Sequence, residues 1–308
     1  IARDLIMDFP GRFRDFIDPK KIHILNLSFA VDNLRENIGG TAANISYNLA
    51  LLGERPSMIG NLGQDQIKFL RYFRRLGVDT RNIDISSAAA DRTAAAYIIT
   101  DKDDNQITGF HAGAMNEIRS RLPAVKKDDF AIIAAENPKN MINLARYYTR
   151  KKVNYIFDPG QQITALKDSE LKIAIRGAKV LIGNDYEVGL LTPSFSPLLR
   201  GRVRGGGLTV IRTLGPKGSE ILAGGNTKIR IGIAKPRRVL DPTGAGDAYR
   251  AGLLKGLVLG YDIKTCGQLG ATVASFAVED YGTQNHHFSK KELLTRFERS
   301  FRKRIHEI

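Results

Sequence analysis

Asp241-Pro242-Thr243-Gly244-Ala245-Gly246-Asp247 follows the apolar pair Val239-Leu240 and runs into a helical stretch, Ala248 to Leu259. Small residues at 244, 245 and 246 let the backbone turn tightly and leave its amides aimed at one point, where the dipole of the following helix adds partial positive charge. The pattern describes an anion hole at a helix start. Asp247 falls in the first helical turn, where a carboxylate partners the dipole and is expected to have a lowered pKa. On its own, Gly-Ala-Gly-Asp equally describes a plain turn into a capped helix. A second glycine pair opens another helix, in Gly39-Gly40-Thr41-Ala42-Ala43-Asn44. Glycines there let a polar ligand touch backbone, and Asn44 offers both a donor and an acceptor.

From about residue 39 onward, short apolar runs alternate with helical patterns, which predicts an α/β fold with a mainly parallel central sheet. Thr41 is expected to cap a helix carrying Ile45, Leu49 and Leu52 on one face and closed by Gly53. Strands are expected at Ser57 to Ile59, Phe130 to Ala134, Val153 to Phe157, Val180 to Ile182 and Leu208 to Arg212. Ligands of open α/β sheets lie beyond the carboxyl ends of strands. Three turns there carry suitable groups: Asp158-Pro159-Gly160-Gln161, Asn184-Asp185-Tyr186-Glu187 and Thr213-Leu214-Gly215-Pro216-Lys217-Gly218. Nucleotide phosphates and Mg²⁺ call for such oxygens and amides, although ordinary turns use the same residues. Two segments, Ile22 to Val31 and Ala94 to Phe110 around the turn Asp101 to Asn105, alternate like antiparallel strands. They are read as a small β lid, approximately 20–38 and 92–112, within one domain of residues 1–308. Arg202 to Gly207 reads as a surface loop.

With 43% hydrophobic and 26% charged residues, a chain of 308 has the balance of a globular protein with a large core. Its single cysteine, Cys266, excludes an internal disulfide and reads as a small packed residue. No run approaches the roughly 20 apolar residues that span a bilayer. Both features predict a cytoplasmic setting. The chain opens at Ile1 inside an apolar run without an initiator Met, which predicts a short preceding piece. A net charge of +15 suits anionic ligands as well as nucleic acid. The densest basic block, Lys290 to Arg304, carries Leu293, Leu294, Phe297, Phe301 and Ile305 at helical spacing behind a Ser289/Glu292 capping box. It is expected to be a packed terminal helix, with no nucleic-acid partner. His286-His287 lacks the further ligands a metal would need.

Taken together, the two glycine blocks, about two hundred residues apart and in this order, resemble the ribokinase (PfkB) family of carbohydrate kinases. Thr100 to Thr108, Asp158 to Gln161, Asp241 to Gly252 and Gly282 to Asn285 are similar to its prokaryotic adenosine or nucleoside kinases. The resemblance implies a three-layer α/β/α fold with a β-sheet lid. It also implies transfer of the γ-phosphoryl group of ATP, with Mg²⁺, to a hydroxyl of a nucleoside, the 5′-hydroxyl of an adenosine-like acceptor; a sugar kinase of the same family is the alternative. Asp247 matches the general base, and Gly244, Ala245 and Gly246 the anion hole. Asp4, Gly39, Gly40 and Asn44 match positions that bind ribose hydroxyls, with Gln106, Phe110 and Gln161 near substrate or nucleotide. Asn184, Thr213, Gly215 and Gly218 match ATP-binding positions, and Glu187 the residue that organises Mg²⁺ through water. A monovalent cation and a homodimer through the lid occur in such kinases and remain open here. Arg3 stands where the family carries small residues and is expected to crowd the sugar site; His111 replaces a frequent aromatic residue.

Other classes fit less well. Gly244-Ala245-Gly246 begins a dinucleotide-binding Gly-x-Gly-x-x-Gly match, but Tyr249 fills the third position and the motif lies late in the chain. No Gly-x4-Gly-Lys-Ser/Thr loop occurs. A non-catalytic nucleoside sensor would have no need of Asp247 beside the anion hole.

Overall fold

The structure, a computed structural model, describes residues 1–24, 26–88, 91–103, 105–191, 207–224 and 227–308. Its first half contains β1 (Ala2–Asp8), β2 (Asn33–Gly39), α1 (Thr41–Leu51), β3 (Gly60–Leu62), α2 (Gln66–Arg75), β4 (Ile83–Ile85), β5 (Ala94–Thr100) and β6 (Gln106–His111). There follow β7 (Phe130–Ile133), α3 (Pro138–Lys151), β8 (Asn154–Phe157), α4 (Asp168–Gly177), β9 (Val180–Asn184), β10 (Thr209–Thr213), β11 (Ser219–Ala223) and β12 (Thr227–Ile231). Three helices close the chain: α5 (Ala245–Val258), α6 (Ile263–Ala277) and α7 (Lys290–Phe301).

Strands β7 to β10 are parallel, and β11 and β12 extend them antiparallel in the order β12-β11-β10-β9-β8-β7. Their apolar runs are unbroken because both faces are covered. Alternate side chains go to opposite layers. Tyr155, Phe157, Leu181 and Val210 pack with α3 and α4, whereas Ile156, Val180, Ile182 and Ile211 pack with α1, α5 and α6. This is the three-layer arrangement expected from the sequence. The basic block forms α7, with the Ser289/Glu292 capping box in place and Leu293 and Phe297 buried against α6. Cys266 is buried in α6.

Helices α5 and α6 meet almost backbone to backbone. A Cβ on Gly252 would stand 2.7 Å from the Leu269 carbonyl oxygen, and one on Gly256 would stand 2.9 Å from Cys266 Cα. Gly252→Leu is therefore expected to destabilise the fold by about 3 kcal/mol, since overpacking here meets backbone that cannot swing aside. It should appear as a lower urea midpoint with an unchanged slope. An unchanged midpoint would contradict this contact.

Several boundaries differ from expectation. Among the described residues of Ile22 to Val31 there is no strand: Pro19–Ile24 is a 3-10 turn, and residues 26–31 alternate in exposure without a ladder partner. Here the period of two reports an extended chain whose Phe29 packs on Phe9 and Phe13, not a sheet. Strand β2 begins at Asn33 instead. Ser57 to Ile59 gives only an isolated bridge from Ser57 to Asp79, and β3 starts at Gly60. Gly40, at φ 86°, and not Thr41, is the cap of α1, and no side chain bonds there. Arg202 to Gly206 lies outside the described residues.

The second alternating segment is the β5–β6 hairpin, which joins β1 and β2 in a four-stranded sheet ordered β2-β1-β5-β6. A cavity of about 430 Å³ lies between the approach to β3 and strand β7, lined by Ile1, Ile45, Met58, Phe130, Ile132 and Leu254. None of the site residues below borders it.

Candidate active site

The first turn of α5 is prepared by the loop before it. Asp241 accepts from the amides of Thr243 (2.8 Å) and Gly282 (2.9 Å), tying the loop to the segment 282–284. Gly244 caps the helix at φ 81°, and a Cβ there would press on Thr283 at 3.0 Å. The Ala245 amide turns back to the Pro242 carbonyl (3.2 Å). Among the described residues, the amides of Gly244, Gly246 and Asp247 find no acceptor. The unpartnered amides are thus those of residues 244, 246 and 247, while that of 245, one of the three expected at the anion hole, is engaged within the turn.

Asp247 lies beside these amides. Its Oδ2 accepts from Asn44 Nδ2 (2.8 Å), and Asn44 Oδ1 in turn accepts from Gln284 Nε2 (2.8 Å). Asn44, 4% exposed, therefore directs its amide at Asp247 and Gln284. The lowering expected from the helix dipole does not hold: burial pushes Asp247 up to about 6, against Arg250 and the Asn44 bond, which favour the charged form. Burial likewise raises Asp4 to about 6. Asp4 lies over Gly39, where a Cβ would stand 1.8 Å from its Oδ2, and a Cβ on Gly40 would strike the Ala2 amide at 2.7 Å. The glycine pair lets β1 and its carboxylate come up against the start of α1.

Register places the four-stranded sheet's side chains. Asn37, Asp4, Ala96 and Phe110 are paired across β2, β1, β5 and β6, so all four share one face. Phe110 is 54% exposed, an aromatic surface in Asp4's row with only Ala96 between them. Gln106 has the same face but stands four residues away, roughly 13 Å along the strand. The structure does not bring it into the Asp4 row. Arg3 and His111 pair with Ala95 on the other face, and Arg3 reaches Asp65 at 3.7 Å. Arg3 therefore does not crowd Asp4, because period-two alternation turns it away.

The carboxyl ends of the parallel strands supply the rest. Asn184 and Thr213 are paired in register at the ends of β9 and β10. The Asn184 amide donates to Glu187 Oε2 (2.7 Å) and the Glu187 amide donates to Asn184 Oδ1 (2.8 Å), a reciprocal lock that fixes both side chains. Gly215 (φ 56°) and Gly218 (φ 83°) shape the turn after β10. Gln161 is exposed in the 3-10 turn after β8. Among the described residues no three His, Cys, Asp or Glu side chains cluster as a metal cage. The half-buried Glu187 carboxylate suits Mg²⁺, which keeps its waters and rests mainly on substrate phosphates.

Sequence reasoning missed three participants. Gln284 orients Asn44, and Asp158 accepts a forked pair of hydrogen bonds from Arg250. All three lie in runs that resemble nucleoside kinases, Gly282 to Asn285, Asp158 to Gln161 and Asp241 to Gly252, and Asp158 opens one of the turns beyond the strand ends, but their partnerships leave no local signal. His286, of the doublet weighed for metal, is fully buried with Nε2 at 2.8 Å from Asn48 Oδ1, and burial lowers it to about 4.

Residues 11–290 match the pfkB family of carbohydrate kinases. A nucleoside kinase of Methanothermobacter thermautotrophicus is 34% identical over 278 residues, covering 88% of each chain. Among solved structures, a Burkholderia thailandensis nucleoside kinase in complex with inosine is 33% identical and superposes with a TM-score of 0.84 over 99% of this chain and 97% of that one. The Methanocaldococcus jannaschii nucleoside kinase follows at 30% identity and a TM-score of 0.83, covering 97% and 95%. A capped helix tip with free amides, a carboxylate beside it and a match along nearly the whole chain lead to one assignment: this protein belongs to the pfkB family of carbohydrate kinases.

Proposed function

We propose that this kinase transfers the γ-phosphoryl group of ATP to the 5′-hydroxyl of a nucleoside, with Asp247 as the general base. The observation that carries this reading is the juxtaposition of free amides at the α5 tip with the Asp247 carboxylate. The amides of Gly244, Gly246 and Asp247 receive the phosphoryl oxygens, where preformed donors need no reorganisation as charge moves. Asp247 orients the acceptor hydroxyl and takes its proton late, once bonding to phosphorus has made it acidic. With its pKa near 6, it is mostly ionised at neutral pH. Asp4, Gly39 and Gly40 hold the ribose, and Phe110 offers a face to the base. The relatives' names, nucleoside kinase, and the inosine complex support a nucleoside over a free sugar.

Mg²⁺ bound with ATP would offset the charge of the phosphates. Asn184 and Glu187 would hold it through water, and Thr213, Gly215 and Gly218 would border the nucleotide. The four-stranded sheet acts as the lid that excludes water. Leu34, Tyr97 and Ile107 are exposed on its face opposite Asp4, which supports a homodimer through that face. Among the described residues no helix is long and apolar enough to cross a membrane.

A coupled assay with ATP and Mg²⁺ tests the acceptor, using adenosine, inosine, guanosine, cytidine, ribose and fructose. Nucleosides should show the higher kcat/KM and yield 5′-monophosphates. Preference for a free sugar would overturn the substrate class.

A further inference from the structure

Arg250 follows Gly246 by one turn of α5, and helical side chains lean toward the helix start. Its Nε and Nη2 donate to Asp158 Oδ2 and Oδ1, the second at 2.8 Å, from the carboxyl end of β8. Arg250 is 8% exposed and Asp158 2%. The third nitrogen, Nη1, lies over the helix tip: a Cβ on Gly246 would stand 2.8 Å from it. Glycine at 246 therefore makes room for this guanidinium.

A buried ion pair is weak support for stability, because well-packed apolar groups of similar volume often serve as well or better. Its surroundings suggest another task. Asp247 is faced by Asp4 from β1 and Asp158 from β8, which oppose its ionisation, and by the uncharged Asn44 from α1. Arg250, on its own helix, favours its charge, as does the amine of Ile1 just before β1, and Glu187 also acts on that guanidinium. Nucleotide phosphates would add further negative charge.

We propose that Arg250, clamped by Asp158, is a positioning residue for phosphoryl transfer: it braces the first turn of α5 and keeps the Asp247 carboxylate in its proton-accepting form. This rests on the reading of Asp247 as the base. An opposite charge at close range moves a carboxylate by about one to three pH units, so the readout is the acid limb of kcat/KM.

The test measures that limb at saturating ATP and Mg²⁺ for wild type, Arg250→Gln, Arg250→Lys, Asp158→Asn and Asp247→Ala, with thermal unfolding alongside. Arg250→Gln should shift the limb upward by about one unit or more. Arg250→Lys should leave it near wild type. Asp158→Asn should shift it downward, because one opposing carboxylate is gone. A merely structural pair would lower stability in both variants and leave the limb fixed or move it the same way in each. Either outcome overturns the proposal. Should Asp158→Asn not fold, Gln against Lys at 250 decides: equal limbs refute a charge role. Full activity in Asp247→Ala would sink the base assignment itself, whereas an inactive Asp247→Ala with an unmoved Arg250→Gln limb sinks only the role of Arg250.

Discussion

Asp247→Ala is expected to lower kcat by about 10²–10⁴-fold, the usual contribution of a positioned base, while ATP affinity stays near wild type. The separation follows from the geometry. The carboxylate reaches toward Asn44 on α1, whereas the expected nucleotide contacts come from the ends of β9 and β10 and from backbone amides. Removing the side chain leaves those amides and the Gly244 cap in place. Asp247→Asn should behave alike, since an amide keeps the shape and a hydrogen bond but takes no proton. Steady-state kinetics with a separate ATP-binding measurement check this. A kcat within a few-fold of wild type in both variants would exclude a base at this position.

Gly244→Val should lower kcat by about 10²–10³-fold, comparable to loss of a preorganised donor. Valine at φ 81° is strained, and its Cβ would press on Thr283 at 3.0 Å, so the α5 tip must shift. Since Asp241 ties residues 243 and 282 together, the shift carries the loop with it and misaims the amides of 244, 246 and 247. The loss should fall on kcat more than on the acceptor KM, because developing charge is what the amides meet. Wild-type turnover by a folded Gly244→Val chain would mean that phosphate is held elsewhere.

The parts of this architecture legible in the sequence are those with local signatures. Val153 to Phe157 and Val180 to Ile182 declare themselves because a parallel strand buried on both faces is a continuous apolar run. The α5 tip is legible because glycines and a carboxylate at a helix start form a compact chemical pattern. Strand β2 was hidden: Asn33 to Glu36 are exposed at the edge of their sheet, and nothing in Asn-Leu-Arg-Glu asks for a strand. The alternating 26–31 stretch misled because period two arises wherever an extended chain lies on an apolar cluster. Partnerships across long separations leave no local mark. Arg250 finds Asp158 across 92 positions and Asn44 finds Asp247 across 203, so charge and amide patterns near either one cannot reveal them.

In the proposed mechanism, amides at the start of α5 hold the transferring group. Amide NMR of the protein, titrated with inosine, ADP, Mg²⁺ and aluminium fluoride as a mimic of the planar phosphoryl group, addresses it directly. Gly244, Gly246 and Asp247 should shift strongly on forming the full complex, beyond their response to inosine or ADP alone. A saturated complex in which those three resonances stay where they were would contradict it.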